Sequence, residues 1–169
     1  MRSSDLQACP ELLLPARAWA LVQRAHVVAG RRIDAELIRR HDLPLAAYDV
    51  LEALDAAPAR RLRMAELAER VVLSRSGVSR VVDKLERQGR VSRQSCDDDL
   101  RGTYAALTPE GRRCVVEAAM THAACVREQF GAALGTDGAR ALVGALTPLV
   151  QALAAGPEGR LSPGGPRIT

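Results

Sequence analysis

The run from Leu73 to Gly89 constrains the fold more than any other stretch, because it predicts a short helix with two defined ends. Ser74 is a preferred N-cap residue, and Gly89 is typical of the position at which a helix stops. The apolar residues between them recur at the i, i+3, i+4, i+7 spacing of one helical face: Val78, Val81, Val82 and Leu85. The opposite face is small, hydroxylated and basic. A helix of this kind suits the major groove of DNA.

Six residues of this helix are candidates for contacting DNA bases or phosphates. They are Ser74, Arg75, Ser76, Ser79, Arg80 and Lys84. Residues 60–101 hold eleven Arg or Lys against seven Asp or Glu, and the rest of the chain holds thirteen of each sign, so this segment carries the whole net charge of +4. Net positive charge that is confined to one segment is typical of a nucleic-acid-binding module, although an arginine-rich solvated face would have the same composition.

The flanking sequence predicts a winged helix-turn-helix. Residues 64–71 have the spacing of a short buried helix, and Val72 and Leu73 form the turn into the next one. Residues 91–94 and 103–107 alternate as strands do, with a polar, turn-forming stretch between them, which predicts a β-hairpin wing. Because 47% of residues are hydrophobic but only 2% aromatic, the core consists of Ala, Leu and Val. We therefore predict a mainly α fold with a small β-hairpin wing.

Long amphipathic patterns lie on both sides of the winged helix-turn-helix. We predict a flexible N-terminus (1–11), a folded domain (12–155) and a disordered Gly- and Pro-rich tail (156–169). The folded domain consists of a first dimerisation helix (12–40), the winged helix-turn-helix (44–108) and C-terminal dimerisation helices (109–154). The apolar faces of the terminal helices exceed what one winged helix can cover. We therefore expect a homodimer, with packing on their own domain alone as the alternative.

Two prolines bear on the C-terminal helices. Thr108 and Pro109 are a favourable N-cap and first helical residue, so we expect a helix to begin there and to continue to about residue 133. A last helix is predicted from near Asp137. Pro148 either kinks that helix or restarts it with Thr147 as a new cap.

Several classes of function are disfavoured by the sequence. The four cysteines are widely spaced and include no Cys-x-x-Cys pair: Cys9, Cys96, Cys114 and Cys125. The three histidines, His26, His41 and His122, have no ligand spacing either, so we expect no metal and no cofactor. Without a signal-peptide pattern or an apolar run of membrane-spanning length, we expect a cytoplasmic protein with reduced cysteines and no membrane contact. The sequence shows no recognisable pairing of a nucleophile with a general base, so we do not expect this protein to be an enzyme.

The ordered set of these residues resembles the MarR-type (multiple antibiotic resistance regulator) winged-helix transcription factors, over residues 14–153. The matching features are Leu67-Ala68, then Ser74-x-x-x-x-Ser79-Arg80-x-x-Asp83-x-Leu85-x-x-x-Gly89, Arg93, Asp99-x-Arg101-Gly102 and Leu107-Thr108-x-x-Gly111. The resemblance implies a homodimeric repressor that binds double-stranded DNA at a palindromic operator. It implies that the helix from Ser74 enters the major groove, that Arg101 of the wing reaches the minor groove, and that Asp99 braces Arg101. An arginine on a hairpin tip suits a narrow, negative minor groove.

The resemblance also implies a small effector, aromatic or phenolic, bound between the dimerisation helices and the winged helix. The candidate ligand-binding residues are Trp19, His26, Tyr48 and Asp49. A lone tryptophan at helical spacing could equally belong to the core or to a dimer interface. Two alternatives stay open: a regulator that senses oxidants through a cysteine, and a winged-helix dimer that acts only as a protein–protein adaptor, whose basic face would then have no purpose.

Overall fold

Helices form most of the structure, and the computed structural model describes residues 10–95 and 103–155. The elements in chain order are α1 (Pro10–His41), α2 (Leu45–Asp55), a 3₁₀ turn (Pro58–Arg60), β1 (Arg61–Arg63), α3 (Met64–Arg70), α4 (Arg75–Arg87), β2 (Val91–Ser95), β3 (Thr103–Leu107), α5 (Pro109–Val126), a π-helical turn (Arg127–Gly131) and α6 (Ala132–Ala154). The predicted mainly α fold with a small β wing is confirmed. Most of the predicted flexible N-terminus (residues 1–9) and the whole predicted tail (156–169) lie outside the described residues.

The wing strands belong to a three-stranded antiparallel sheet with the order β1-β3-β2. The predicted hairpin is confirmed, since β2 pairs with β3, whereas the pairing of β1 with β3 adds a strand that the sequence did not predict. Leu62 and Arg93 both lie opposite Ala105, so the three share one face of the sheet. Leu62 and Ala105 are buried there, which attaches the wing to the helices.

The helix-turn-helix consists of α3, a short turn and α4. The Ser74 hydroxyl accepts a hydrogen bond from the Gly77 N–H at 3.1 Å, which caps α4 as predicted. The apolar face of α4 is fully buried at Val78, Val82 and Leu85. After α4, Gly89 has a φ of +69°, a left-handed conformation that glycine adopts without strain.

Helix α1 packs on the rest of the described chain only through its C-terminal part. Ile33 and Leu37 are buried, whereas residues 13–27 are all exposed. The helix ends where Asp42 takes a positive φ of +46°, and Leu43 then enters the core. His41 hydrogen-bonds with the buried Thr121 hydroxyl at 2.8 Å, which joins the end of α1 to α5.

The C-terminal helices are continuous except at Gly135. Its φ of +62° and ψ of −177° interrupt the helical backbone, close to the predicted boundary between two helices. The chain keeps helical dihedral angles through Pro148. The Thr147 hydroxyl donates to the Val143 carbonyl at 2.8 Å within this helix, so the alternative in which Thr147 restarts the helix is wrong.

None of the helices within residues 10–95 and 103–155 combines the length and the apolar character that a membrane span requires.

The start of α5 is joined tightly to the segment that follows α4. The Thr108 hydroxyl donates to the Gly89 carbonyl at 2.7 Å and accepts from the Gly111 N–H at 3.0 Å, while the Thr108 N–H donates to the Arg90 carbonyl at 3.2 Å. A Cβ on Gly111 would lie 2.0 Å from the Arg90 carbonyl oxygen. Only glycine therefore allows this approach, which fixes the position of α4 relative to α5.

We expect Gly111→Ala to lower the free energy of unfolding by about 3 kcal/mol, the upper end of the usual cost of overpacking, because the added methyl group collides with backbone. Chemical denaturation monitored by circular dichroism measures this change. Gly144→Ala is the matched control, since nothing lies within 4 Å of a Cβ there. The control should stabilise α6 by about 0.5–1 kcal/mol. Equal effects of the two substitutions would contradict the proposed close approach.

Candidate nucleic-acid interface

The polar face of α4 is presented to solvent in the way that the sequence predicts. Five of the six predicted contact residues are exposed, and the sixth is half-buried: Ser74, Arg75, Ser76, Arg80 and Lys84, with Ser79 partly covered. Within the described part of the chain, Arg75, Arg80 and Lys84 make no ion pair. The arginines that do form ion pairs all lie outside α4. This surface therefore offers positive charge that no carboxylate of the described residues neutralises.

The N-terminal end of α4 adds to this positive character. Its first turn contains no acidic residue, so the positive end of the helix dipole is not neutralised there. The hydroxyl oxygens of Ser74 and Ser76 lie 3.2 Å apart in this turn, where the Ser74 hydroxyl also caps the Gly77 N–H. A Cβ on Gly77 would lie 3.2 Å from the Ser74 hydroxyl, so glycine leaves space for the cap. Hydroxyl groups and free N–H groups at a helix N-terminus suit phosphate oxygens.

Arg93 of β2 connects the wing to α4. Its guanidinium donates to Asp83 at 2.6 Å and to Glu86 at 2.7 Å, and its own N–H donates to Glu86 at 3.1 Å. Burial alone would lower the pKa of Arg93, but the hydrogen bonds and charges of the two carboxylates raise it overall. The pairing offsets part of the negative charge that Asp83 and Glu86 place on α4, and it attaches β2 to that helix.

The tip of the wing lies outside the described residues. Asp99 and Arg101, the two predicted wing contacts, are among residues 96–102, as is Cys96. Strands β2 and β3 end at Ser95 and Thr103 on the two sides of this segment. The roles of Asp99 and Arg101 in DNA binding therefore stay a prediction.

Three of the four candidate ligand-binding residues lie near one another. Tyr48 and Asp49 are neighbours on α2, and His26 of α1 is close enough to Asp49 for its charge to favour the carboxylate. Tyr48 is buried and stacks on His122 of α5, with ring centroids 4.7 Å apart and an angle of 18° between the rings. The fourth candidate, Trp19, precedes His26 by two helical turns and is 62% exposed.

Burial and negative charge shift the protonation of this cluster. The pKa of Asp49 rises to about 6, chiefly because the carboxyl is buried and also because Glu52 repels it, while His26 opposes the shift. Burial, the charge of Glu52 and a 3.1 Å hydrogen bond to its carboxylate raise the pKa of Tyr48. Burial lowers the pKa of His122, against the attraction of Glu52. Near neutral pH the cluster thus holds a neutral phenol, a largely neutral imidazole and a carboxyl that titrates just below neutrality.

Reasoning from the sequence missed Glu52 and His122 as members of this cluster. The i, i+4 spacing of Tyr48 and Glu52 on one helix could have indicated their hydrogen bond. No local pattern joins Tyr48 to His122, because they meet only when α2 packs on α5. The pairing of Arg93 with Asp83 and Glu86 was missed for the same reason.

The two cysteines in the described residues are free and half-buried. Burial is the main reason that the pKa of the Cys114 thiol rises, so its reactive thiolate is disfavoured. Cys125 belongs to α5 and lines a groove that α5 forms with α1. Cys9 and Cys96 lie outside the described residues.

Comparison with known proteins identifies relatives of this arrangement. A family model described as "MarR family" matches residues 41–102. The chain is similar to Sco3205 of Streptomyces coelicolor, a MarR family transcriptional regulator whose structure was solved in complex with DNA. The two are 32% identical with a TM-score of 0.75, and the match covers 86% of this chain and 91% of Sco3205.

Two further matches are more distant or shorter. BpsR of Bordetella bronchiseptica, whose DNA binding is regulated by 6-hydroxynicotinic acid, shares the fold with a TM-score of 0.70 at 22% identity, covering 79% of this chain and 98% of that chain. An uncharacterized HTH-type transcriptional regulator of Bacillus cereus is 30% identical over 89 residues, or 53% of this chain. The match spans 57% of the length of that curated relative.

We expect the free energy of unfolding to depend on pH through Asp49. The folded chain holds the Asp49 proton up to about pH 6, whereas the unfolded chain releases it near the ordinary value of 3.8. The folded state therefore binds more protons than the unfolded state between these pH values, so protonation of Asp49 stabilises the fold. This stabilisation is lost as pH rises from about 4 to about 6. Asp49→Asn should remove that loss, so the variant gains stability relative to wild type over this range.

Urea denaturation at pH 4, 5, 6 and 7 measures the difference between Asp49→Asn and wild type. Asp137→Asn controls for the removal of one carboxylate, since the Asp137 side chain is 95% exposed. A difference that stays constant across these pH values for Asp49→Asn would contradict a buried, partly protonated Asp49.

Proposed function

We propose that this chain, which belongs to the MarR family of transcriptional regulators, is a homodimeric DNA-binding repressor that binds a palindromic operator. The observation that carries this proposal is the exposed face of α4, on which Arg75, Arg80 and Lys84 have no ion-pair partner among residues 10–95 and 103–155. Members of this family are regulators and not enzymes, in agreement with the prediction from sequence. A protein that acts on chromosomal operator DNA works in the cytoplasm.

In this proposal α4 enters the major groove with its N-terminal end foremost. Ser76, Ser79 and Arg80 contact base edges or phosphates, and Arg75 and Lys84 contact phosphates on either side, while Ser74 caps the helix beside the backbone. An arginine that forms two hydrogen bonds to guanine is the commonest specific contact of this kind. Because phosphate contacts release counterions, binding should weaken steeply as salt increases.

The wing contributes the second contact. We propose that Arg101 enters the adjacent minor groove, where narrow A·T-rich sequence has an enhanced negative potential. Asp99 would hold the guanidinium in place through a charge-assisted hydrogen bond. The pairing of Arg93 with Asp83 and Glu86 supports this role, since it fixes the base of the wing against α4.

Homodimerisation is supported by the apolar surfaces of the terminal helices. None of the residues of α6 is buried. The exposed large apolar residues of α1 and of residues 132–154 are Leu13, Leu14, Trp19, Leu21, Val22, Val27, Val28, Ile38, Leu134, Val143, Leu149, Val150 and Leu153. A groove of about 810 Å³ between α1, the end of α5 and the start of α6 combines alanines with charged side chains, among them Arg32, Glu36 and Glu128. A second copy covers these surfaces at the lowest cost, because the contact is self-complementary.

A small effector would bind where the winged helix meets the dimerisation helices. Tyr48, Asp49 and His26 lie at that junction, and Trp19 would complete the site from the exposed part of α1. The relative BpsR, regulated by 6-hydroxynicotinic acid, supports an aromatic acid or phenol as the class of ligand. The oxidant-sensing alternative has less support, because the Cys114 thiol is disfavoured as a thiolate. A protein adaptor would leave the uncompensated charge of α4 without a partner.

We expect Arg80→Ala and Arg101→Ala each to weaken binding about 30-fold or more, since each dimer loses the contact twice and one such contact contributes about 1–3 kcal/mol. The measurement is a gel shift with a duplex selected by the full-length protein from a random library. Arg140→Ala removes the same charge from α6 and is the matched control, because the Arg140 side chain is 74% exposed and far along the chain from α4. Size exclusion should give the wild-type elution volume for all three variants. Undiminished affinity of Arg80→Ala would contradict the proposal.

A second prediction concerns the dimer alone. Leu149 and Leu153 lie on the apolar face of α6 and are 50% and 66% exposed in the single chain. Leu149→Asp combined with Leu153→Asp should convert the dimer into a monomer, because four charges would be buried in the interface. Sedimentation velocity measures the mass. Gln151→Asp, on the opposite face of the same helix, should leave the dimer intact. A double variant that stays dimeric would show that α6 does not form the interface.

A further inference from the structure

Val72 is the one large apolar side chain that the winged helix-turn-helix exposes within residues 45–95 and 103–107. Its side chain is 84% exposed. The other exposed large apolar residues of the described chain lie in α1 or α6, where a second copy would cover them, except for Val116 and Met120 of α5. The exposure of Val72 has no such explanation from the proposed dimer.

The backbone of the turn holds Val72 in this position. Val71 is buried with 8% exposure, and Leu73 packs against the core. The Leu73 N–H donates to the Val71 carbonyl at 2.8 Å, which closes a three-residue turn around Val72. With both neighbours anchored and the turn closed, the Val72 side chain cannot fold back onto the core. Valine is also stiff at χ1, so it loses little freedom on contact.

The turn places Val72 beside the residues that approach DNA. Val72 lies two residues before Ser74, so their Cα atoms are within about 7 Å of each other. Ser74, Arg75 and Ser76 around it are all exposed and polar. An apolar group here therefore meets the same partner as these polar groups, which is the major groove in the function proposed above.

We propose that Val72 is a specificity-determining residue that contacts the methyl group of a thymine in each half-site of the operator. The major-groove edge of a base pair carries one apolar group, the C5-methyl of thymine. A branched aliphatic side chain is complementary to that methyl group and to no other base edge. This inference rests on the proposed DNA-binding function, and it adds a contact outside α4 itself.

The test removes the methyl group from the DNA and the side chain from the protein. The probe is the duplex that the full-length wild-type protein selects from a random library, with each thymine of a half-site replaced in turn by uracil, which lacks only the methyl. For wild type we expect one uracil position per half-site to weaken binding about fourfold, the factor expected for leaving one methyl-sized group in water. Val72→Ala should bind the thymine and uracil duplexes equally at that position.

Two further variants keep the result interpretable. Val72→Thr preserves the shape of the side chain and one methyl group, so it should keep part of the discrimination. Val116→Ala makes the same change at an exposed valine of α5 and should keep the full wild-type discrimination. Thermal unfolding of Val72→Ala should match wild type, because the side chain contributes little to the core.

The possible failures are distinguishable. If wild type and Val72→Ala lose the same affinity at every uracil position, Val72 does not read a methyl group and the inference is overturned, although the proposed function stands. A protein partner that binds through Val72 would give this same outcome. If the full-length protein selects no duplex at all, both the proposed function and this inference are overturned.

Discussion

The contact between Gly111 and the Arg90 carbonyl holds α4, with its exposed basic face, and α5 in one frame. It allows Thr108 to bond with the carbonyls of Gly89 and Arg90 through its hydroxyl and its N–H, so that the segment after α4 lies directly against the start of α5. From the other side, Arg93 ties the wing to α4 through Asp83 and Glu86. We therefore expect a movement of α5 to displace α4 and the wing together, because close-packed backbone contacts have little room to yield.

This frame suggests how a signal at the junction of the helices could reach DNA. Tyr48 of α2 stacks on His122 of α5, and His41 at the end of α1 bonds with Thr121 next to it. A ligand that separates these side chains would change the angle between α2 and α5, and thus the distance between the two copies of α4 in a dimer. Gly135, where the backbone leaves the helical conformation, divides α5 and its π-helical turn from most of α6.

The sequence predicts those features that depend on neighbouring residues. The cap at Ser74, the stop at Gly89, the wing strands and the Thr108–Pro109 start each follow from local spacing, and the structure confirms them. Strand β1 was not predicted, because three residues give no alternation to detect. The Tyr48–His122 stack and the Arg93 pairs were not predicted either, since they join elements that only the packed chain brings together. Asp99 and Arg101 stay predictions outside the described residues.

The central claim is that two copies of this winged helix bind DNA as one symmetric unit. Hydroxyl-radical footprinting of the full-length protein on its selected duplex tests it most directly, because the method reports protection along both strands. We predict two protected patches related by a two-fold axis, with centres about 10 base pairs or a multiple of that apart, as two recognition helices in successive major grooves require. A single asymmetric patch, or uniform protection without any boundary, would contradict the account.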